Sequence, residues 1–258
     1  MTDFIEQDLS GSTFRRVRLR GATIHDADLS GLRVRAAWLD GVRMTGVEAP
    51  DLEIHGELGR VVVNGVDVVP LVEAELDRRH PERALMRPSD ADGFRTAFET
   101  LDRLWEPTVA RARPRPAARL HEQVDGEWSF IETLRHLGFA HACWVSGVVL
   151  ADPSPWRPLD LPWDEAPAVE GVPWDRDVRP ALDEVLDLRA RRRSIVAEVL
   201  ADLDDDGLAR PVTSATPFMT EADSLTVADC LKVVLNEEWE HRLYAERDLA
   251  ALSSSSFS

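Results

Sequence analysis

An apolar or small residue recurs every five residues along roughly the first fifth of the chain, without a slip in phase. The members of this series are Phe4, Leu9, Phe14, Leu19, Ile24, Leu29, Val34, Leu39, Met44, Ala49 and Ile54. A period of five matches neither the helical turn of about 3.6 residues nor the alternation of a strand. Glycine, which suits sharp turns, often follows two places after a member of the series. The pattern therefore predicts a repeat architecture.

This series resembles the pentapeptide-repeat family over about residues 3–58. The resemblance implies a right-handed quadrilateral β-helix with one repeat on each side and the central residues in the coil interior. We expect the turn Asn64-Gly65 to lie in a short cap that closes the coil. The predicted division is residues 1–69 for the β-helix and cap, 70–88 for a connecting helix and linker, and 89–258 for a second domain.

The second domain shows four amphipathic helical patterns. They cover about residues 89–112, 129–150, 178–203 and 226–252. The second pattern opens with a capping box of Ser129 and Glu132, and the fourth opens with Thr226 and Asp229. The third carries Pro180 in its first turn, where proline is tolerated. Four such helices favour a four-helix bundle, so the predicted fold class is α+β, a β-helix followed by this bundle.

The charge and composition exclude several classes of protein. The chain has 47 acidic and 30 basic side chains, a net charge of −17, which would repel nucleic acid and anionic membranes. No apolar run approaches the roughly 20 residues of a membrane span, and the first residues lack the features of a secretory signal. We expect a cytoplasmic protein with no nucleic-acid or membrane partner. Cys143 and Cys230 are too few for a disulfide framework and are expected to be buried reduced thiols.

Polar side chains occupy core-facing positions on two of the predicted helices. Glu237 and His241 fall in a series spaced by three and four on the fourth helix, and His136 lies among small residues on the second. One carboxylate and two imidazoles would suit Zn²⁺ with a fourth position open, and Ni²⁺ or Fe²⁺ would also fit. The alternative is a buried hydrogen-bonded His–Glu pair without metal. The remaining histidines are expected on the surface or in loops: His25, His55, His80, His121 and His141.

Two stretches, VDGEWSFIETLRHLGFAHACWV and LNEEWEHRLYAERDL, resemble the signature helices of the DinB-like superfamily. The resemblance extends over about residues 90–252. The usual ligand set there is three histidines, and Glu237 in place of the middle one resembles the branch of mycothiol-dependent maleylpyruvate isomerase. The resemblance implies that His136, Glu237 and His241 bind zinc. It also implies a cofactor, mycothiol or another low-molecular-weight thiol, whose pKa the zinc lowers so that the thiolate attacks an electrophile.

The connection between the second and third helices is long and rich in tryptophan. Residues 151–174 hold three tryptophans and six prolines and show no periodic pattern. Loops of this length are often binding loops. We therefore expect Trp156, Arg157 and Trp163 to bind the thiol cofactor. The alternative is that the loop only packs across the end of the bundle.

Three functions follow from these patterns. The leading hypothesis is a zinc-dependent, mycothiol-type S-transferase or isomerase acting on a small electrophilic substrate, with no catalytic side chain identified beyond the metal-held thiol. The second is a non-enzymatic interaction protein, with a structural metal in the bundle and a β-helix that docks a partner or another copy of the chain. The third is an acidic DNA mimic, which the nearly neutral residues 1–60 disfavour.

Overall fold

The structure is a computed structural model of the chain, and it describes residues 3–212, 216–218 and 225–254. The chain divides into two compact units, Met1–Glu57 and Leu58–Ser258. The larger unit is rich in helix, as the bundle prediction requires. None of the helices in the described ranges has the length and apolar character of a membrane span.

The first unit turns once in every five residues. Residues with positive φ recur at this spacing: Glu6, Gly11, Arg16, Gly21, Asp26, Gly31, Ala36, Gly41 and Gly46. Backbone hydrogen bonds close alternate turns, and in the first of them the amide of Ser12 donates to the carbonyl of Leu9 at 3.0 Å. One corner in each repeat agrees with the expected coil, in which each repeat would form one side.

The central residues of the repeats are not packed into an interior. Their exposed fractions include 61% for Phe4, 56% for Phe14 and 64% for Ile24, and the described residues 3–57 contain no β-strand. A repeat buries its central side chain only against stacked neighbours, and a segment of about three coils provides few of them. The structure therefore shows the five-residue corner geometry without the packed interior of a β-helix.

A short hairpin and a helix open the second unit. Asn64 and Gly65 form the turn, with φ of 48° and 86°, the left-handed values that a tight two-residue hairpin turn requires. The elements that follow one another here are β1 (Val62–Val63), β2 (Val66–Asp67), α1 (Val69–Arg79) and a 3₁₀ helix (Pro81–Met86). The two strands pair antiparallel. Pro81 cannot continue α1, so the chain changes direction there.

Four long helices form the bundle within the described residues. They are α2 (Ala91–Ala112), α4 (Phe130–His141), α5 (Leu182–Ala201) and α7 (Val227–Ser254). A π-helical segment, Ala142–Val149, extends α4, and the short helices α3 (Ala117–Leu120) and α6 (Asp205–Leu208) lie in the connections. Both α2 and α4 pack against α5 and α7. The bundle core therefore receives side chains from all four helices.

Capping side chains determine where the bundle helices begin. The Ser129 amide donates to Glu132 at 2.8 Å, and the Glu132 amide donates to the Ser129 hydroxyl, which completes the predicted capping box. Thr226 and Asp229 make the equivalent reciprocal bonds at α7.

Two predicted helix starts are displaced. Asp90, rather than Ser89, caps α2 by accepting a hydrogen bond from the Gly93 amide at 2.8 Å. Helix α5 begins only at Leu182, so Pro180 lies outside it rather than in its first turn. The carboxylate of Glu184 accepts a hydrogen bond from the Ala181 amide at 2.7 Å and so caps this start.

Candidate metal centre and adjoining cavity

One side chain from α4 and two from α7 meet inside the bundle. Glu237 and His241 are one helical turn apart and project to the same side. The Oε2 atom of Glu237 lies 3.4 Å from His136 Nε2 and 2.9 Å from His241 Nε2. Ligand atoms of the three residues all lie within 4.8 Å of one another. Zinc bonds of about 2.0–2.1 Å in tetrahedral geometry place ligand atoms about 3.3 Å apart, so the three residues fit one ion.

A backbone carbonyl orients the imidazole of His136. The Nδ1 atom of His136 lies 2.9 Å from the carbonyl oxygen of Leu161. Because a carbonyl can only accept, Nδ1 carries the hydrogen and donates it, which leaves Nε2 facing Glu237 and His241 as the atom that would bind a metal ion. A second hydrogen bond of this kind holds metal-binding histidines in the ligating tautomer.

The carboxylate of Glu237 is held in its ionised form. Burial by itself would raise its pKa, but hydrogen bonds and charge interactions with His136 and His241 outweigh burial and place the pKa well below its ordinary value. A metal ion binds the deprotonated carboxylate and the neutral imidazole. The protonation state of Glu237 is therefore already that of a ligand.

Buried arginines fasten the loop that supplies the Leu161 carbonyl. Arg192 donates to Asp160 at 2.6 Å and to the Pro155 carbonyl at 2.7 Å, and both charged side chains are almost fully buried. From α4, Arg135 donates to the Leu159 carbonyl at 2.8 Å. The loop thus folds back along α4. It must do so to reach His136, because it starts at the far end of that helix.

A cavity of about 290 Å³ adjoins the three candidate ligands, close to the lower end of the range of about 300–1,000 Å³ for small-molecule sites. Its walls are formed by Trp128, His136, Phe139, Ala140, Cys143, Trp144, Trp163, Phe218, Glu237 and His241. The Trp128 ring lies over both imidazoles, with centroid distances of 4.3 Å to His136 and 5.7 Å to His241. Its indole N–H donates to Asp164 at 2.9 Å, which fixes the ring in this position.

The three residues predicted to bind the thiol occupy different places. Trp163 lines the cavity. Trp156 is 5% exposed and stacks on Phe139 with a centroid distance of 5.5 Å, so it supports a wall of the cavity from behind. Arg157 is exposed, and its guanidinium donates to the Trp156 carbonyl. The structure therefore brings only Trp163 of this set into the cavity lining.

Sequence reasoning missed four aromatic residues of the cavity. Trp128, Phe139 and Trp144 lie in the stretch that resembles a signature helix, and Phe218 lies in the connection before α7. Trp128 precedes the Ser129 cap of α4, so helical spacing does not relate it to His136. Phe218 carries no such signal either, because its approach depends on how a long connection folds.

The expectation for His141 was wrong, because this side chain is buried rather than on the surface. Its Nε2 atom lies 2.8 Å from Glu238, and its exposed fraction is 2%. His141 does point away from His136, as the helical geometry predicts. The side of α4 that carries His141 is buried as well, since all residues of α4 except Glu132 are buried.

A buried ionic cluster surrounds Glu238. Arg189 donates two hydrogen bonds to its carboxylate, at 2.8 and 2.6 Å, and Arg193 approaches within 3.3 Å. Burial would raise the pKa of Glu238, but the two guanidinium groups together with His141 keep it well below the ordinary value. Burial lowers the pKa of His141 and favours its neutral form. The cluster joins α4, α5 and α7 beside the candidate metal centre.

A smaller cavity of about 160 Å³ shares no lining residue with the first. Arg113 and Asp183, which both line it, form an ion pair at 2.8 Å. Within the described part of the chain, only His136, Glu237 and His241 form a group that could hold a metal ion, so the larger cavity is the candidate functional site.

Comparisons with known proteins confirm both resemblances that the sequence shows. A family model described as the DinB superfamily matches residues 100–245, a range that includes the three candidate ligands. A model of pentapeptide repeats matches eight copies within residues 2–33. No curated protein and no solved structure matches the chain at a significant level.

Proposed function

Because the chain belongs to the DinB superfamily, we propose that it is a metal-dependent enzyme that uses a low-molecular-weight thiol of the mycothiol type. The reaction would be an S-transfer or an isomerisation of a small electrophilic substrate. The observation that carries the proposal is an incomplete ligand set beside a cavity. Among the described residues, no fourth His, Cys, Asp or Glu joins His136, Glu237 and His241. Catalytic zinc sites have three protein ligands, whereas structural sites are closed by four.

The donor set supports a divalent metal ion in the bundle. Zn²⁺ is the proposed ion, and Ni²⁺ and Fe²⁺ are the alternatives that one carboxylate and two imidazoles also accommodate. When bound, such an ion supplies a positive centre that lowers the pKa of a thiol. The chain itself would hold the ion through His136, Glu237 and His241, orient His136 through the Leu161 carbonyl, and exclude water with Trp128.

The thiol would enter past the loop that carries the predicted binding residues. Trp163 offers an aromatic face inside the cavity, while Trp156 acts through the position of Phe139. Arg157 is exposed, so it would contact the thiol only where a polar part of the molecule extends out of the cavity. In S-transfer the sulfur forms a bond to an electrophilic carbon of the substrate, and the thiol proton passes to the leaving group. In isomerisation the sulfur leaves again and the thiol is regenerated.

Metal analysis tests the proposal most directly. The purified chain should contain close to one equivalent of zinc, and His136→Ala, Glu237→Gln and His241→Ala should each remove most of it while helical circular dichroism is retained. His55→Ala is a matched control because that imidazole is exposed in the repeat unit. Zinc that persists at one equivalent in His136→Ala would overturn the ligand assignment. Thiol consumption with a panel of electrophiles then tests for enzyme activity.

A second candidate function is supported by the exposed repeat segment. Its central residues are apolar and uncovered, and Trp38 is 91% exposed. We propose that this segment forms the quadrilateral β-helix when it docks a partner protein or a second copy of the chain. Light scattering should then give the full chain a mass above that of one copy. A chain that begins at Leu58 should have the mass of one copy. If the full chain is monomeric, docking to a second copy is ruled out.

The cytoplasmic location is also a proposal. It is supported by two cysteines that are free and buried, Cys143 and Cys230. Such thiols are typical of proteins from reducing compartments. Fractionation of expressing cells, followed by detection of the chain, tests this point.

A further inference from the structure

Three aromatic rings form one wall of the cavity beside the candidate metal centre. Phe139 and Phe218 meet edge to face with centroids 5.1 Å apart, and Trp163 meets Phe218 in the same way at 5.5 Å. Trp163 and Phe139 are also close to perpendicular, at 6.2 Å. Edge-to-face contacts are a favoured aromatic geometry, so the three rings support one another and need no ligand to hold them in place.

Trp128 is a further aromatic residue of the lining, and it is also fixed. It is bonded through its indole N–H to Asp164 and therefore does not offer that donor to a ligand. Ala140 and Cys143 also line the cavity, and the Cys143 sulfur lies 3.3 Å from the Thr216 hydroxyl. Apart from the candidate metal ligands, the polar side-chain groups of the described lining are the indole N–H groups and the Cys143 thiol.

Apart from the candidate metal centre, the described walls offer no positive charge to a negatively charged ligand. None of the described residues that line the cavity is lysine or arginine. The segments outside the described ranges contain no lysine, arginine or histidine, so they cannot add a cation. Away from the metal centre, a carboxylate between these walls would lose its hydration without gaining a partner, which is strongly unfavourable.

The arginines nearest this side of the bundle already have partners in the protein. Arg135 donates to three backbone carbonyls of the loop, and Arg192 pairs with Asp160. Arg176 pairs with Asp164 and donates to the Trp163 carbonyl. To release one of these groups for a substrate would break the contacts that shape the cavity.

We propose that the cavity binds an uncharged, ring-bearing apolar group, and that the part of the substrate that lies between the aromatic walls is therefore uncharged and aromatic. That the ligand is a substrate rests on the proposed function, whereas occupation of the cavity does not. Maleylpyruvate, the dicarboxylate for which the resembling isomerase branch is named, has no ring and would bring at least one carboxylate against walls that offer it no cation. The chain is therefore expected to differ from that branch in the substrate that it accepts.

Calorimetric titration with two ligands of nearly equal shape tests the charge preference. The metal-free full chain is titrated with 2-naphthamide, which is neutral, and with 2-naphthoate, which is negatively charged. The amide should bind at least tenfold more tightly. Trp163→Leu and Phe218→Leu should each weaken amide binding by about tenfold, while Trp38→Ala, which changes an exposed ring in the repeat unit, should not. Circular dichroism verifies that each variant is folded.

The outcomes distinguish this inference from the proposed function. Equal or tighter binding of 2-naphthoate, or no detectable binding of 2-naphthamide to the folded chain, would overturn the inference whatever the metal content. Tight amide binding to a chain that never retains metal would support the cavity assignment and contradict the proposed enzyme. Amide binding that is unchanged in both cavity variants would place the ligand elsewhere and would also overturn the inference.

Discussion

Replacement of Arg189 by methionine should destabilise the bundle strongly, because it leaves Glu238 buried without its main partner. The Glu238 side chain has no exposed surface, and Arg189 holds both of its oxygens, at 2.8 and 2.6 Å. To remove one member of a buried ion pair costs about 3–5 kcal/mol of unfolding free energy. Since Arg193 remains at 3.3 Å, we expect a loss near the lower limit, about 3 kcal/mol.

Denaturation measurements give the size of this effect. For a unit of the size of residues 58–258, a loss of about 3 kcal/mol corresponds to a melting temperature lower by roughly 6–12 °C. Urea titration followed by circular dichroism should show the same loss with an unchanged slope. Arg191→Met, an exposed position on the same helix, is the matched control and should change stability by less than about 0.5 kcal/mol.

The pH dependence provides an independent check on the cause. The folded pKa of Glu238 lies below its unfolded value of 4.5, so its contribution to stability is fully present above that pH and is lost as the pH falls through the folded pKa. The difference between the wild type and Arg189→Met should therefore shrink below about pH 4.

A double variant separates the buried charge from the loss of packing. In Arg189→Met/Glu238→Leu no buried carboxylate is left without a partner, and apolar replacements of buried ion pairs are often neutral. Much of the lost stability should return. A loss below about 1 kcal/mol in the single variant, or no recovery in the double variant, would refute this account of the cluster.

Three further predictions concern the loop, a helix contact and the thiols. Asp160→Ala should free the loop that carries the Leu161 carbonyl and weaken zinc affinity by about tenfold in chelator competition, and an unchanged affinity would contradict the orienting role. Gly147→Ala should lower the unfolding free energy, because the added Cβ would lie 2.7 Å from Thr216 and overpacking of about 1–3 kcal/mol exceeds the helix gain of about 1 kcal/mol. A rise in melting temperature would show that the contact relaxes. Both cysteines should resist iodoacetamide at pH 8 in the folded chain, since burial raises each pKa to about 11, and rapid labelling would contradict this.

The local patterns of the chain determined much of the fold and the candidate ligands. Capping side chains act on backbone groups three residues away, so Ser129 and Glu132 reveal a helix start without reference to the rest of the chain. The Glu237 and His241 pair is equally local, because one helical turn brings the two side chains together. The five-residue period likewise predicts a corner in each repeat, and the backbone has one.

Only the tertiary structure decided what surrounds those ligands. Leu161 reaches His136 because Arg192 and Asp160 pull the loop back along α4, and nothing in the spacing of these residues predicts the contact. His141 was assigned to the surface because helical geometry gives a direction but not what lies there. Whether the central repeat residues are packed, and whether the cavity holds lysine or arginine, also depends on contacts between distant segments. A sequence pattern reports interactions within one or two turns, whereas burial and charge depend on which remote side chains arrive.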